Sequence, residues 1–169
     1  MRRVFIATED TFGELFIKKI IKKLKDENII PNNIKVLVKA MPKRCSIKLS
    51  KILKLYCIDG YHKLILLVDG DGKNESHVKR KELTHGEHVK ECKLEVIVNK
   101  YEIEEWLLFA YGKNFSGKPK PSIEIKKIIP WYDKNRLHKV LEIIMRDPNK
   151  WNKLKQYEKF RELLNKILR

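Results

Sequence analysis

The sequence predicts an α/β fold in which a four-stranded, mostly parallel sheet is flanked by helices. Two observations support this prediction. Short apolar runs alternate with longer segments whose apolar residues recur at helical spacing. Breaks rich in Pro, Gly, Asn or Asp separate the two kinds of segment. Alternation of this kind is typical of parallel strands joined by helices that cover both faces of the sheet.

The predicted strands are short, and the third gives the strongest signal because five of its six residues are apolar. The strands are expected at residues 4–7, 34–38, 63–68 and 93–98. Helical spacing predicts helices at residues 12–26, 47–57 and 102–110, with a short or irregular helix at 73–84. Two or three further helices are expected in residues 123–169, broken near Pro130 and Pro148. We expect an α/β core at residues 1–112 and a basic helical extension at 113–169, packed as one domain.

Positive charge dominates the composition, since 38 Lys and Arg face 22 Asp and Glu and the formal net charge is +16. Such an excess favours a polyanionic partner, and DNA or RNA is the leading expectation. A lysine-rich surface without a partner is the alternative, although a thermophile's surface enriches Lys and Glu together. No apolar run approaches the ~20 residues of a membrane span. Three irregularly spaced cysteines and no signal-peptide core predict a reducing, cytoplasmic location.

Acidic residues follow three of the predicted strands. They are Glu9 and Asp10 after the first, Asp69 and Asp71 after the third, and Glu102, Glu104 and Glu105 after the fourth. Because ligands bind beyond the carboxyl ends of parallel strands, these acids should collect at one edge of the sheet. So many carboxylates need a compensating cation, and oxygen ligands without Cys or His suit Mg²⁺ or Mn²⁺.

The run from Asp69 to Gly72 has two interpretations. In an extended segment, Asp69 and Asp71 point to the same side and face one metal ion, while Gly70 and Gly72 leave room for a phosphate. The alternative is an ordinary turn, since Asp-Gly pairs commonly form turns.

These acids resemble the motifs of the Toprim family, which has a Glu after its first strand and Asp-x-Asp after its third. Further segments are similar to small stand-alone Toprim proteins and to the Toprim part of OLD-family nucleases. They are Glu14-Leu15-Phe16 and Ile103-Glu104-Glu105-Trp106-Leu107-Leu108. The similarity covers roughly residues 4–110. The family usually has Gly directly after the Glu, whereas Asp10 stands here, so Asp10 is an alternative to Glu9 as the functional acid.

The resemblance implies a Toprim-like, Rossmann-like fold and phosphodiester cleavage with a divalent metal. It implies Glu9, Asp69 and Asp71 as catalytic residues and adds Glu104 as a metal ligand, in preference to Glu102 and Glu105. No tyrosine is marked as activated, so water is the simpler nucleophile. The sequence has no G-x-x-x-x-G-K-[ST] loop, so ATP hydrolysis by this chain itself is not expected.

Basic residues near the predicted active edge are candidate contacts to nucleic acid. They are Lys39, Lys43 and Arg44 after the second strand, and Lys113, Lys118 and Lys120 in a Gly/Pro-bearing loop. Trp131 and Trp151 either stack on bases or, as the sequence favours, pack helices onto the sheet.

Two other functions remain open. One is a non-catalytic module that binds nucleic acid or a protein partner and holds a structural metal. The other is phosphotransfer on a small substrate, which the high net charge disfavours. His85, His88 and Cys92 lack a second metal-binding pair and are expected to face solvent, while Cys45 and Cys57 are expected to be packed thiols.

Overall fold

A four-stranded, all-parallel sheet forms the centre of the molecule, with the strand order β2-β1-β3-β4. This computed structural model describes residues 1–41, 47–86, 89, 92–115 and 119–169. The strands are β1 (Arg2–Thr8), β2 (Ile34–Ala40), β3 (Lys63–Asp69) and β4 (Lys93–Asn99). The expectation of an α/β fold with a parallel sheet is confirmed, and each strand is one to three residues longer than expected.

Helices flank the sheet. In the described residues they are α1 (Thr11–Asp26), α2 (Ile47–Ile58), α3 (Glu75–Leu83), α4 (Glu104–Ala110), α5 (Pro121–Ile128), α6 (Leu137–Arg146), α7 (Pro148–Gln156) and α8 (Glu158–Leu168). The C-terminal part of the chain therefore holds four helices rather than two or three. The additional break lies at Tyr157, whose extended backbone (φ −61°, ψ 134°) separates α7 from α8.

The two faces of the sheet bury separate apolar cores. Val4 and Ile6 of β1 pack with residues of α1 and of α4 to α8, while Phe5 and Ala7 pack with residues of α2 and α3. Because successive strand residues point to opposite faces and both faces are covered, the central strands β1 and β3 contain continuous apolar runs at residues 4–7 and 64–68. The edge strand β2 is instead interrupted by the exposed Lys35 and Lys39.

The aromatic residues of the C-terminal helices divide between core and surface. Trp151 and Tyr132 are buried, as packing of these helices onto the sheet requires, but Trp131 is 44% exposed. The packing interpretation therefore holds for Trp151 and fails for Trp131.

Two expectations about the cysteine and histidine residues are wrong. Cys57, at the end of α2, is bonded to Cys92, just before β4, so neither is a free thiol in this structure. His85 does not face solvent but is buried, with its Nδ1 3.3 Å from Ser50 Oγ. His88 and Cys45 lie outside the described residues. In the described residues, no helix combines the length and apolar character that crossing a membrane requires.

Candidate functional site

The order in which the chain adds strands to the sheet reverses between β1 and β3, although all strands are parallel. The chain passes from β1 outward to β2 and then returns to the other side of β1 to form β3. In open parallel sheets, ligands bind at the carboxyl ends of strands at such a reversal. Glu9 follows β1 and Asp69 ends β3, and the Asp69 backbone N–H donates to Glu9 Oε1 at 3.1 Å. The two acids that were expected on neighbouring strands are thus in contact.

A buried amide holds the Asp69 carboxylate. Asn99, the last residue of β4, is buried and donates from Nδ2 to Asp69 Oδ1 at 2.9 Å. Its Oδ1 accepts a hydrogen bond from Trp106 Nε1 at 2.8 Å, which orients the amide. Burial raises the pKa of Asp69 to about 8; the hydrogen bond from Asn99 opposes the rise and the charge of Glu9 adds to it. The surroundings therefore disfavour the ionised form of Asp69 when no cation is bound.

Glu104, the first residue of α4, is fully buried beside this pair. Its Oε1 accepts a hydrogen bond from the Tyr132 hydroxyl at 2.8 Å, whereas its Oε2 has no hydrogen-bond partner in the described part of the chain. Burial raises the pKa of Glu104, against the opposing charge of Lys134. The charge of Glu104 in turn makes a small contribution to the raised pKa of Asp69.

Lys134 supplies a positive charge to these carboxyl groups. Its Nζ lies 3.4 Å from Asp10 Oδ2. Burial alone would lower the pKa of Lys134, but the charges of Glu104, Asp10 and Asp69 outweigh burial and raise it. In the sequence, Lys134 is one of many basic residues of the helical extension at 113–169. The available signal was the need for a cation near so many acids, but nothing in the local sequence identifies which lysine meets it.

The segment after Asp69 is a turn rather than an extended strand. The Lys73 N–H donates to the Gly70 carbonyl at 2.9 Å, and both central residues have positive φ, 51° at Asp71 and 75° at Gly72. The Asp71 side chain is exposed. An added Cβ on Gly70 would lie 2.6 Å from the Asn99 carbonyl oxygen, so this glycine permits close contact with the end of β4. The premise of an extended segment with both aspartates on one side is wrong.

The other acids near the site have structural partners. Asp10 caps α1 through a hydrogen bond from the Gly13 N–H at 2.7 Å. Glu102 accepts from the backbone N–H of Ser122 at 2.8 Å, at the start of α5. Glu105 accepts from the backbone N–H groups of residues 100–102 and from the Tyr157 hydroxyl. Of the three glutamates after β4, Glu104 is the one whose charge acts on Asp69.

The basic residues expected to contact nucleic acid lie in different places. Lys39 is exposed near the end of β2, and Lys113 and Lys120 are exposed on either side of the segment before α5. Lys43, Arg44 and Lys118 lie outside the described residues.

The carboxylates of this edge match a hard divalent cation in chemistry but do not form a closed cage. Across residues 1–41, 47–86, 89, 92–115 and 119–169, no group of three or more His, Cys, Asp or Glu is arranged to hold a metal ion. Mg²⁺ commonly takes only one or two protein carboxylates and completes its shell with water and substrate phosphate. Glu9 and Asp69 supply that number, and Glu104 Oε2 has no hydrogen-bond partner among the described residues.

No protein-family model matches the chain, and comparison with curated proteins and with solved structures finds no significant match. We therefore infer a function from the fold, the geometry of the site and the sequence motifs.

Proposed function

We propose that this protein is a Toprim-like nuclease that hydrolyses phosphodiester bonds of DNA or RNA with Mg²⁺ or Mn²⁺. The observation that carries the proposal is the contact between Glu9 and Asp69, which follow β1 and end β3 at the reversal in strand order, with the charge of Glu104 acting on Asp69. A strongly basic chain that gathers acids at one edge has the charge distribution that metal-dependent phosphate chemistry requires.

In this proposal, Glu9 and Asp69 would hold the ion, Asp71 would reach the site from its exposed turn, and Glu104 would add negative charge. When bound, the ion polarises a phosphate oxygen and offsets the charge that develops in the transition state. Glu9 accepts a proton from the attacking water or serves a second metal position. Asn99 keeps the Asp69 carboxylate oriented through its hydrogen bond of 2.9 Å.

The second candidate is a nucleic-acid-binding or partner-binding module without catalysis. The Lys134 ammonium group favours it, because this group compensates the acids without any metal. The two candidates share a fold and differ in whether the acids act on a phosphate or only stabilise the molecule.

A cleavage assay with matched variants separates the candidates. The substrates are plasmid DNA, single-stranded DNA and structured RNA, each with Mg²⁺, Mn²⁺ or EDTA. Glu9→Gln removes a proposed ligand, and Asp71→Asn removes a charge while keeping a residue that tolerates positive φ. Asp59→Asn is the control, since it removes an exposed acid from the turn before β3, at the opposite edge of the sheet.

Metal-dependent cleavage that is lost in Glu9→Gln, reduced in Asp71→Asn and kept in Asp59→Asn supports the nuclease. Cleavage that survives in Glu9→Gln overturns the site. No cleavage by the unaltered protein, together with binding that weakens as salt rises, supports the second candidate instead.

A further inference from the structure

We propose that a groove beside the acidic site binds single-stranded nucleic acid. The groove has a volume of about 370 Å³, and we call it the aromatic groove. The lining residues expected to contact the strand are Lys73, Lys100, Phe109, Lys113 and Phe115. The inference rests on the proposed function and narrows it, because it selects single strands over duplexes as the substrate class.

Three lysines give the aromatic groove free positive charge. Lys73, Lys100 and Lys113 are exposed, and in the described residues none of them forms an ion pair. A fourth lysine of the groove, Lys159, is buried and paired with Glu75 at 2.8 Å. Glu105, an acid of the lining, is buried, and its carboxylate accepts hydrogen bonds from backbone N–H groups. Two exposed acids, Glu75 and Glu158, also line the groove and pair with Lys159. The four lysines of the lining outnumber its three glutamates by one, so the groove keeps a net positive charge that suits phosphates.

Two aromatic rings line the same groove. Phe115 is half-buried and meets Tyr101 edge to face, with ring centroids 4.8 Å apart. Phe109 is also half-buried and lies 5.0 Å from the Tyr157 ring. These contacts hold the rings in place while part of each remains accessible. Basic grooves with aromatic side chains bind single strands because unpaired bases stack on the rings, whereas a duplex hides its bases.

The aromatic groove and the acidic site share a stretch of backbone. Lys100 directly follows Asn99, whose amide holds Asp69. Lys73 ends the turn that contains Asp71, and this turn is joined to the end of β4 by hydrogen bonds of 2.9 Å, from Gly70 N–H to Asn99 and from Gly72 N–H to Lys100. A strand bound in the groove thus lies next to the carboxylates that would act on it.

Binding without metal tests the inference apart from catalysis. Fluorescence anisotropy in EDTA compares a labelled single-stranded oligodeoxynucleotide of about 15 nucleotides with the same sequence as a duplex. The unaltered protein is expected to bind the single strand more tightly. Phe115→Leu keeps an apolar side chain but removes the ring, and is expected to weaken single-strand binding about 5- to 100-fold.

Lysine variants test whether the lysines of the aromatic groove contact the phosphates of the bound strand. Lys100→Ala and Lys113→Ala are each expected to reduce the slope of log affinity against log salt by about 0.7. Lys22→Ala, which removes an exposed lysine from α1, is the matched control and should leave affinity nearly unchanged. Equal or tighter duplex binding, or a Phe115→Leu affinity equal to that of the unaltered protein, overturns the inference.

The two proposals fail in distinguishable ways. If the protein cleaves nothing but Phe115→Leu still weakens single-strand binding, the nuclease proposal fails and the aromatic groove stands. If the protein cleaves duplex DNA and Phe115→Leu neither binds nor cleaves differently, the aromatic groove fails and the nuclease stands.

Discussion

At the scale of single residues, Lys134 explains how the acidic cluster persists in a folded protein. Buried carboxylates are costly unless they are paired or protonated. Lys134 contacts Asp10 at 3.4 Å, and its charge lowers the pKa values of Asp69 and Glu104 that burial raises. A divalent cation would perform the same electrostatic task more strongly, so metal and lysine are expected to act on the same carboxylates.

Lys134→Met is expected to destabilise the protein and to increase its response to metal. Because the Lys134 side chain is 38% exposed and screened by solvent, we expect a loss of only about 1 kcal/mol, or a fall of ~2–4 °C in Tm. Mg²⁺ or Mn²⁺ should raise the Tm of the variant more than that of the unaltered protein. Thermal unfolding with metal and with EDTA measures both effects. Lys126→Met, an exposed lysine on α5, is the control; an equal metal response in all three proteins would contradict the prediction.

At the scale of elements, the sequence predicted the four strands well because short groups of apolar residues mark each of them, continuous in β1 and β3 and interrupted by Lys or Glu in β2 and β4. Their polar ends were missed, since Asp69 and Asn99 look like loop residues until their partners are known. The break at Tyr157 was missed because no Pro or Gly marks it. Glu9 and Asp69 were found because strand ends follow from hydrophobic patterning, whereas the contacts of Lys134 and Asn99 depend on tertiary packing that patterning does not contain.

The turn after β3 depends on Gly70. An added Cβ would lie 2.6 Å from the Asn99 carbonyl oxygen and 2.8 Å from that of Lys100, both of which are backbone atoms with little freedom to move. Gly70→Ala is therefore expected to cost about 2–3 kcal/mol, measured by urea unfolding. Gly60→Ala is the comparison, because φ of 81° strains alanine there but an added Cβ would come no closer than 3.7 Å to a neighbouring side chain, at Arg3 Nη1. If Gly70→Ala lowers the free energy of unfolding less than Gly60→Ala does, the close contact between Gly70 and the end of β4 does not restrict the residue at this position.

The bond between Cys57 and Cys92 links α2 to the segment before β4 across a sequence separation of 35 residues. A loop of that length stabilises a fold by about 3–4 kcal/mol in the chain-entropy model. In denaturant without reductant, we expect one reactive thiol among the three cysteines, and three after reduction. Reductant should also lower the Tm of the unaltered protein but not that of a Cys57→Ser, Cys92→Ser double variant. Three reactive thiols before reduction would instead agree with the reducing location expected from the sequence.

At the scale of the whole molecule, the net charge of +16 leaves several carboxylates, such as Glu27, Glu95 and Glu162, paired with more than one lysine. Glu95 of β4 is the clearest case, since it pairs with Lys93 at 2.9 Å, with Lys63 of β3 at 3.5 Å and with Lys166 of α8. Burial alone would raise the pKa of Glu95, but hydrogen bonds from Lys166 and Lys93 and the charges of Lys166 and Lys63 lower it to about 2. One ionised carboxylate thus joins two strands and the last helix.

Protonation of Glu95 is therefore expected to weaken the whole fold at acidic pH. A carboxyl whose pKa is lower in the folded than in the unfolded chain contributes full stability above its unfolded value, 4.5 here, and loses it as pH falls toward 2. Urea unfolding between pH 7 and pH 2.5 should show a free energy of unfolding that declines below about pH 5. Glu95→Gln should be less stable at pH 7 and decline less steeply, because it has no proton to gain. Glu124→Gln, which removes a carboxylate whose ion pair with Lys127 lies within α5, is the control and should show the same pH dependence as the unaltered protein. If the free energy of unfolding of Glu95→Gln declines with pH as steeply as that of the unaltered protein, the role given to Glu95 is wrong.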